Sequence, residues 1–170
     1  MKKLLALIGS LLLFTASMQA SRPTETHLFA MTAFNPHVPQ IIGPLQTVPF
    51  DTTTVLTGGD LVLSSADTIT INSTGTYSVS FMGSTYSQDA QSVVDLVSNQ
   101  SAAEVQLYLN DKVVGPEVAV QIRGGCLVID TLVSVPNVPS TLNVKVNAKS
   151  LRLGKSNAAT IKVVKISNNP

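Results

Sequence analysis

Residues 64–87 read SSADTITINSTGTYSVSFMGSTYS, and apolar side chains occupy almost every second position. Ile69 and Ile71 alternate with polar residues, and Tyr77, Val79 and Phe81 do the same further along. Successive side chains of a β-strand point to opposite faces of the sheet. The alternation therefore predicts two strands, each with one buried face.

The residues Ser73-Thr74-Gly75 separate these two strands. Glycine can take the positive φ that a tight hairpin turn often needs. We therefore interpret the stretch as a hairpin with its turn at Gly75. Tyr77 and Phe81 then share one face, where each aromatic side chain can bury on the order of 150 Å².

The same alternation recurs along the rest of the chain. Many short strands at fairly regular spacing predict an all-β sandwich or barrel. Polar or glycine-containing segments mark candidate turns at Gly58-Gly59, Asn110-Asp111, Gly115-Pro116, Gly124-Gly125 and residues 136–140. The strands are predicted near residues 46–50, 60–64, 67–72, 76–86, 104–109, 117–123, 126–135, 141–148 and 158–167. We expect the core to contain Tyr77, Phe81, Leu107, Leu109, Ile129, Val144 and Val163.

The N-terminus reads MKKLLALIGSLLLFTASMQA, with two lysines before an apolar run and small or polar residues after it. This order is typical of a secretory signal peptide. The apolar run is shorter than the ~20 residues that span a bilayer, although an uncleaved anchor remains the alternative. We predict a secreted or cell-surface protein that begins at Ser21, with the periplasm as a further possible destination.

The proline content changes after the N-terminal segment. Residues 21–50 contain five of the nine prolines, and proline removes a backbone donor and disfavours helix before it. We expect a signal peptide at 1–20, an irregular proline-containing lead-in at 21–44 and the β-domain at 45–170. Within that domain, residues 88–103 lack clear alternation and predict a long loop.

Charge gives little indication of a partner. Removal of Lys2 and Lys3 leaves nine basic and ten acidic residues, so the mature chain carries a net charge of about −1. A nearly neutral chain gives no reason to expect nucleic acid or an anionic membrane as a partner. The basic segment after Asp130 could bind an acidic surface, but outward lysines also protect sheet edges from aggregation. Its basic residues are Lys145, Lys149, Arg152, Lys155, Lys162 and Lys165.

Cys126 is the single cysteine, so an internal disulfide is excluded. It could pair between subunits or remain a free thiol. We expect it instead to begin an apolar strand and to pack as a small buried side chain.

The sequence shows no arrangement of catalytic or metal-binding groups. His27 and His37 lie ten residues apart, without the spacing of a metal site. The carboxylates are scattered and do not form a calcium-loop pattern. Asp89 and Asp95 are the only candidates for a calcium ion held by separate loops. We therefore assign no catalytic, cofactor-binding or metal-binding residue and expect no cofactor.

Several short motifs resemble a known superfamily. The stretch TGTYSVSF resembles the G-x-Y-x-x-x-F strand entry of the jelly rolls related to tumour necrosis factor and to the globular heads of complement subcomponent q. VPFDTTT, AEVQLYLNDKVVGPE and AATIKVVKISNN resemble strands in the C-terminal domain of the collagen-like glycoproteins of bacterial spore surfaces. The chain lacks that family's Gly-X-Y tract.

The resemblance implies a two-sheet antiparallel jelly-roll sandwich that assembles as a homotrimer. It implies a non-enzymatic structural module that presents loops to a protein or glycan ligand, with the 88–103 loop and the basic C-terminal segment as contact regions. The alternative is a carbohydrate-binding jelly roll, with or without calcium. Glycan binding that is lost on chelation would distinguish it.

The signal-peptide interpretation predicts the N-terminus of the exported protein. Mass spectrometry of protein recovered from secreting cells should show a chain that begins at Ser21. Leu12→Arg should block export, because a charge interrupts the apolar run that the export machinery binds. Retention of residues 1–20 on a membrane-bound product would instead support the anchor.

Overall fold

A computed structural model of the chain describes residues 26–31, 41–50, 52–84, 103–120, 126–147, 151–153 and 159–170. These residues form twelve strands: β1 (His27–Met31), β2 (Ile41–Ile42), β3 (Thr52–Thr57), β4 (Leu61–Ser65), β5 (Thr68–Ile71), β6 (Gly75–Ser84), β7 (Ala103–Leu109), β8 (Lys112–Val120), β9 (Cys126–Val135), β10 (Ser140–Val146), β11 (Leu151–Arg152) and β12 (Ala159–Ser167). The predicted signal peptide, the Gly124-Gly125 turn and all but the last residue of the 88–103 loop lie outside the described residues.

The long strands form two antiparallel sheets of five strands each. Sheet I has the order β3-β1-β12-β6-β9, and sheet II has the order β4-β5-β10-β7-β8. Strands β2 and β11 form a separate two-stranded ribbon. The chain crosses repeatedly from one sheet to the other, which gives the predicted all-β jelly-roll sandwich.

The core lies between the two sheets and contains all seven side chains that the sequence assigns to it. Phe81 packs edge-on against Phe50, with ring centroids 6.1 Å apart and an angle of 80° between the rings. Both side chains are fully buried. Such edge-to-face aromatic pairs stabilise beyond the area that they bury.

The hairpin interpretation of residues 64–87 is wrong, although its two strands and their inward residues are confirmed. β5 pairs with β4 and β10 in sheet II, whereas β6 pairs with β12 and β9 in sheet I. The segment between them therefore carries the chain across the sandwich. Ile69 and Tyr77 are both buried in the core but belong to different sheets, and alternation alone does not reveal which sheet a strand joins.

Gly75 has a special role at this crossing. Its φ is +147°, and a β-carbon there would collide with the carbonyl oxygen of Ser167. Only glycine combines this backbone conformation with such a close approach. The Tyr77 hydroxyl donates a hydrogen bond of 2.8 Å to the Ser73 carbonyl oxygen, which fixes the crossing from within the core.

The segment expected to be an irregular lead-in contains regular structure. β1 lies between β3 and β12, and its Leu28 and Ala30 are buried. The predicted strand at 46–50 is also wrong, because only Thr47 forms an isolated bridge, to Lys145. Residues 46–50 nonetheless run alongside β10. The Val48 amide donates a hydrogen bond of 2.8 Å to the Val144 carbonyl oxygen.

The predicted turns have mixed outcomes. Asn110 and Asp111 form the β7–β8 turn with φ values of +50° and +61°, as the mirror-image hairpin turns require. Gly115-Pro116 is not a turn but lies inside β8. The β7–β8 register shifts at this point, so Gly115, with a φ of +79°, marks a β-bulge.

Asp67 ties the 46–50 segment to the β4–β5 turn. The hydroxyls of Thr47, Ser65 and Thr68 all donate hydrogen bonds to its carboxylate. The Thr47 hydroxyl has the largest effect, and together these donors hold the pKa of Asp67 below 3.8 although burial opposes the shift. Donors favour the ionised form of the carboxylate because they stabilise its negative charge.

Removal of one donor tests this arrangement. Thr47→Val should raise the pKa of Asp67, measured by NMR titration of its carboxyl carbon, while Ser64→Ala serves as the control on a neighbouring hydroxyl. In the wild type the folded pKa lies below the ordinary value of 3.8. The stability that Asp67 contributes is therefore complete above that value and is lost as pH falls through the folded pKa. An unchanged Asp67 titration in Thr47→Val would contradict the assignment.

Phe81 tests the core. Phe81→Ala should lower the free energy of unfolding by about 3–5 kcal/mol, because truncation removes buried area and leaves a cavity. Ser78→Ala, on the opposite face of β6, should change it by no more than about 0.5 kcal/mol. Urea denaturation at one fixed protein concentration measures the free energy of unfolding of both variants. If Phe81→Ala had the same denaturation midpoint as the wild type, Phe81 would not be a core residue.

Candidate functional site

The outward surfaces of the two sheets differ in chemistry. The outer face of sheet I, directed away from sheet II, carries six apolar side chains from β1, β3, β6, β9 and β12. They are Phe29, Val55, Met82, Val128, Leu132 and Val164, of which Leu132 is 64% exposed. Large exposed apolar side chains grouped on one face commonly mark an interaction surface.

Strand pairing orders these side chains into rows across sheet I. Val128 pairs with Met82, which pairs with Thr160. Four positions further along the strands, Leu132 pairs with Ser78, which pairs with Val164. Ser78 and Ser80 on β6 are small side chains that lie between larger side chains of β9 and β12.

A third row lies between these two and is charged. Asp130 on β9 pairs with Ser80 on β6, and Ser80 pairs with Lys162 on β12. The Ser80 hydroxyl donates a hydrogen bond of 2.9 Å to the Asp130 carboxylate. Phe29 and Val55 continue the row on β1 and β3.

The outer face of sheet II is mostly polar, with Val62 and Val113 as exposed apolar exceptions, and several of its polar side chains bind one another. The Lys145 ammonium lies 4.8 Å from the centre of the Tyr108 ring and 2.7 Å from the Asp111 carboxylate. The Tyr108 hydroxyl donates to the Asn147 side chain at 3.0 Å, and the Asn147 amide donates to Glu117 at 2.8 Å. This face therefore already satisfies much of its own hydrogen bonding.

A second polar cluster lies where β5 crosses to β6. The Lys165 ammonium donates a hydrogen bond of 2.8 Å to the Ser73 hydroxyl and lies 3.8 Å from the Asp60 carboxylate. Burial raises the pKa of the Tyr77 hydroxyl above 10.0, and the nearby Asp60 adds to the shift while the hydrogen bond with Ser73 opposes it. These groups bind one another at the crossing, so we assign them a structural role.

The structure separates the ionisable residues that the sequence singled out. No group of three histidine, cysteine, aspartate or glutamate side chains that could hold a metal ion occurs among the described residues. His27 lies on β1, beside Val164 of β12. His37 and the calcium candidates Asp89 and Asp95 lie outside the described residues, so a calcium site between loops stays a hypothesis.

The described lysines of the basic C-terminal segment point to three different places. Lys145 lies on sheet II, Lys162 on the outer face of sheet I, and Lys165 beside Asp60. They do not form one basic patch. Lys149, Lys155 and the side chain of Arg152 lie outside what the structure describes.

Cys126 begins β9 as predicted, but its predicted burial is wrong. The thiol is free and exposed, and the exposed and buried positions alternate from this residue onward. Leu127 takes the first inward position, which leaves Cys126 outward beside Ser84.

The sequence interpretation missed the apolar outer face. Met82, Val128 and Leu132 are visible in the sequence as apolar residues at outward positions of β6 and β9. This signal was available, but only the sheet order shows that these residues lie side by side. No helix within the described part of the chain is long and apolar enough to cross a bilayer.

Comparison with known proteins finds similarity at the level of structure. No protein-family model and no curated protein matches the sequence. Murine APRIL, in a crystal at pH 5.0, superposes with a TM-score of 0.64 and 10% identity, covering 84% of this chain and 99% of that chain. The Eiger TNF of S. frugiperda gives 0.56 and 12%, covering 88% and 96%. Pika GITRL gives 0.51 and 14%, covering 85% and 98%.

At these identities the likeness concerns the fold alone. The closer resemblance to spore-surface glycoproteins stays a prediction from sequence motifs. The alignments cover nearly the whole length of each of these neighbours, and this agrees with the jelly-roll fold that the resemblance at residues 74–81 implies. The chain has a jelly-roll fold like that of murine APRIL and of the Eiger TNF.

Proposed function

We propose that the protein is a secreted or surface-exposed, non-enzymatic module that assembles as a homotrimer and presents loops to a ligand. The outer face of sheet I is the surface through which the copies associate. The observation that carries this proposal is the contrast between the two outward faces. The outer face of sheet I groups exposed apolar side chains around a charged row, whereas the outer face of sheet II is mostly polar and several of its side chains bind one another.

The physical argument starts from exposed apolar area. Val55, Met82, Val128 and Leu132 are each about half exposed or more in a single chain. Transfer of such side chains from water into a packed interface is favourable by about 25 cal/mol for each Å² removed. A stable interface buries roughly 1,200–2,000 Å² in total, which is compatible with the face of a five-stranded sheet.

If the apolar face of every copy is to be covered, the copies must form a closed symmetric assembly. Copies related by a rotation form a ring when one part of the surface binds a different part on the next copy. A trimer is the assembly that the superfamily resemblance implies. It would leave the polar face of sheet II outside, in contact with water.

The ligand-presenting role rests on where two segments begin and end. Ser84 and Cys126 are paired in sheet I, and Ala103 and Val120 are paired in sheet II. Segment 85–102 connects Ser84 to Ala103, and segment 121–125 connects Val120 to Cys126. We propose these two segments as the ligand-presenting loops, because loops that connect strands commonly vary in sequence and carry binding residues.

The trimer is tested with two variants of matched exposure. Met82, on the outer face of sheet I, and Val113, on β8 of sheet II, are each 51% exposed. The mass from light scattering should equal three chains for the wild type and for Val113→Glu. Met82→Glu should give single chains, because a carboxylate would be buried in the interface without a partner.

A wild type that stays a single chain at micromolar concentration would overturn the trimer. If Met82→Glu and Val113→Glu had the same mass, the outer face of sheet I would be excluded as the interface of the trimer. In the first case, retention on a glycan array with and without chelator becomes the deciding measurement for the carbohydrate-binding alternative.

A further inference from the structure

We propose that Asp130 and Lys162 form an ion pair between neighbouring copies, and that this pair fixes the register in which the outer faces of sheet I associate. The inference rests on the proposed self-association and adds the residues that direct it. It concerns the one row of this face that is charged.

The geometry keeps the two charges apart within one copy. Asp130 and Lys162 both pair with Ser80, from opposite sides. Their strands are therefore separated by β6, and adjacent strands lie about 4.8 Å apart. The Ser80 hydroxyl binds the Asp130 carboxylate at 2.9 Å and so occupies the space between the two charges.

Neither charge has a partner of opposite charge among the residues that the structure describes. Among the described residues, the ion pairs are Lys145 with Asp111 and Lys165 with Asp60, and neither includes Asp130 or Lys162. Both side chains are exposed in the single chain, so water solvates them there. Lys145, another described lysine of the C-terminal segment, is bound to Asp111 on sheet II.

The surroundings of the pair are apolar. Val128 and Leu132 flank Asp130 along β9, and Phe29 is the cross-strand neighbour of Lys162. A second copy that covers these side chains also removes water from both charges. Burial of an unpaired charge is strongly unfavourable, so association requires an opposite charge from the next copy.

The outer face of sheet I carries both the negative charge of Asp130 and the positive charge of Lys162, so a second copy can supply the opposite charge. β9 is an edge strand of sheet I and β12 is its central strand, so Asp130 lies near one side of the face and Lys162 near the middle. In a ring, one side of a surface meets a different part of the same surface on the next copy. Asp130 of one copy then meets Lys162 of the next, and the long lysine side chain allows the ammonium to reach the carboxylate.

An ion pair of this kind mainly determines how two copies align, and it contributes less to how tightly they bind. Like charges that face each other across an interface are strongly unfavourable. Any alignment that places Asp130 against Asp130, or Lys162 against Lys162, is therefore disfavoured relative to the alignment that pairs them. The apolar side chains favour association, and the charged row selects how the copies align.

Charge exchange tests the pair in the full chain as exported by secreting cells. Asp130→Lys and Lys162→Asp should each raise the dissociation constant of the assembly by about tenfold or more, since each places like charges together. The double variant Asp130→Lys with Lys162→Asp should return it to within about threefold of the wild type. Sedimentation equilibrium over a dilution series measures all four proteins.

Controls separate this effect from general changes of charge or folding. Asp111→Lys makes the same change of net charge as Asp130→Lys on the polar face of sheet II, and it should leave the dissociation constant unchanged. Circular dichroism verifies folding of each variant. The milder changes Asp130→Asn and Lys162→Gln remove one charge and should weaken association without like-charge repulsion. They replace the charge reversals in this test if a reversed variant fails to fold.

The outcomes distinguish the inference from the function on which it rests. A wild type that is a single chain overturns both. A trimeric wild type whose single reversals leave association unchanged, or whose double variant is no tighter than the single reversals, overturns the ion pair alone.

Discussion

The sandwich depends on one tight crossing, at residues 72–75, where the chain leaves sheet II and enters sheet I. Gly75 lets the backbone pass against the Ser167 carbonyl oxygen, a space that a β-carbon would fill. The Tyr77 hydroxyl binds the Ser73 carbonyl oxygen and so fixes the start of β6. Because β6 lies between β12 and β9, its start sets the register of the strands that carry the outer face.

The sequence predicts the inward residues well and the strand partners poorly. Alternation with a period of two reports which side chains share a face, and Tyr77, Phe81 and Ile129 are all buried as expected. It carries no information on which sheet receives a strand, so β5 and β6 were assigned to one hairpin. β1 was missed for another reason, because it is a short strand within a proline-containing segment.

The outer face of sheet I was predictable only in part. Its residues stand at outward positions of strands that the sequence identifies, and Met82 and Leu132 are apolar there. Their neighbours across the sheet come from distant parts of the chain, such as Phe29 and Val164. A surface assembled from five separated segments is visible only when the strand order is known, and the same holds for Asp130 and Lys162.

The β-bulge at Gly115 bears on solubility. β8 is an edge strand of sheet II and is rich in valine, and no other strand of the described residues pairs with its outer edge. Such an edge can act as a template for the strand of another chain. The bulge interrupts its regular backbone, and Pro116 offers no N–H group for pairing. These two features lower the tendency of β8 to pair with a strand of another chain and so oppose fibrous aggregation along this edge.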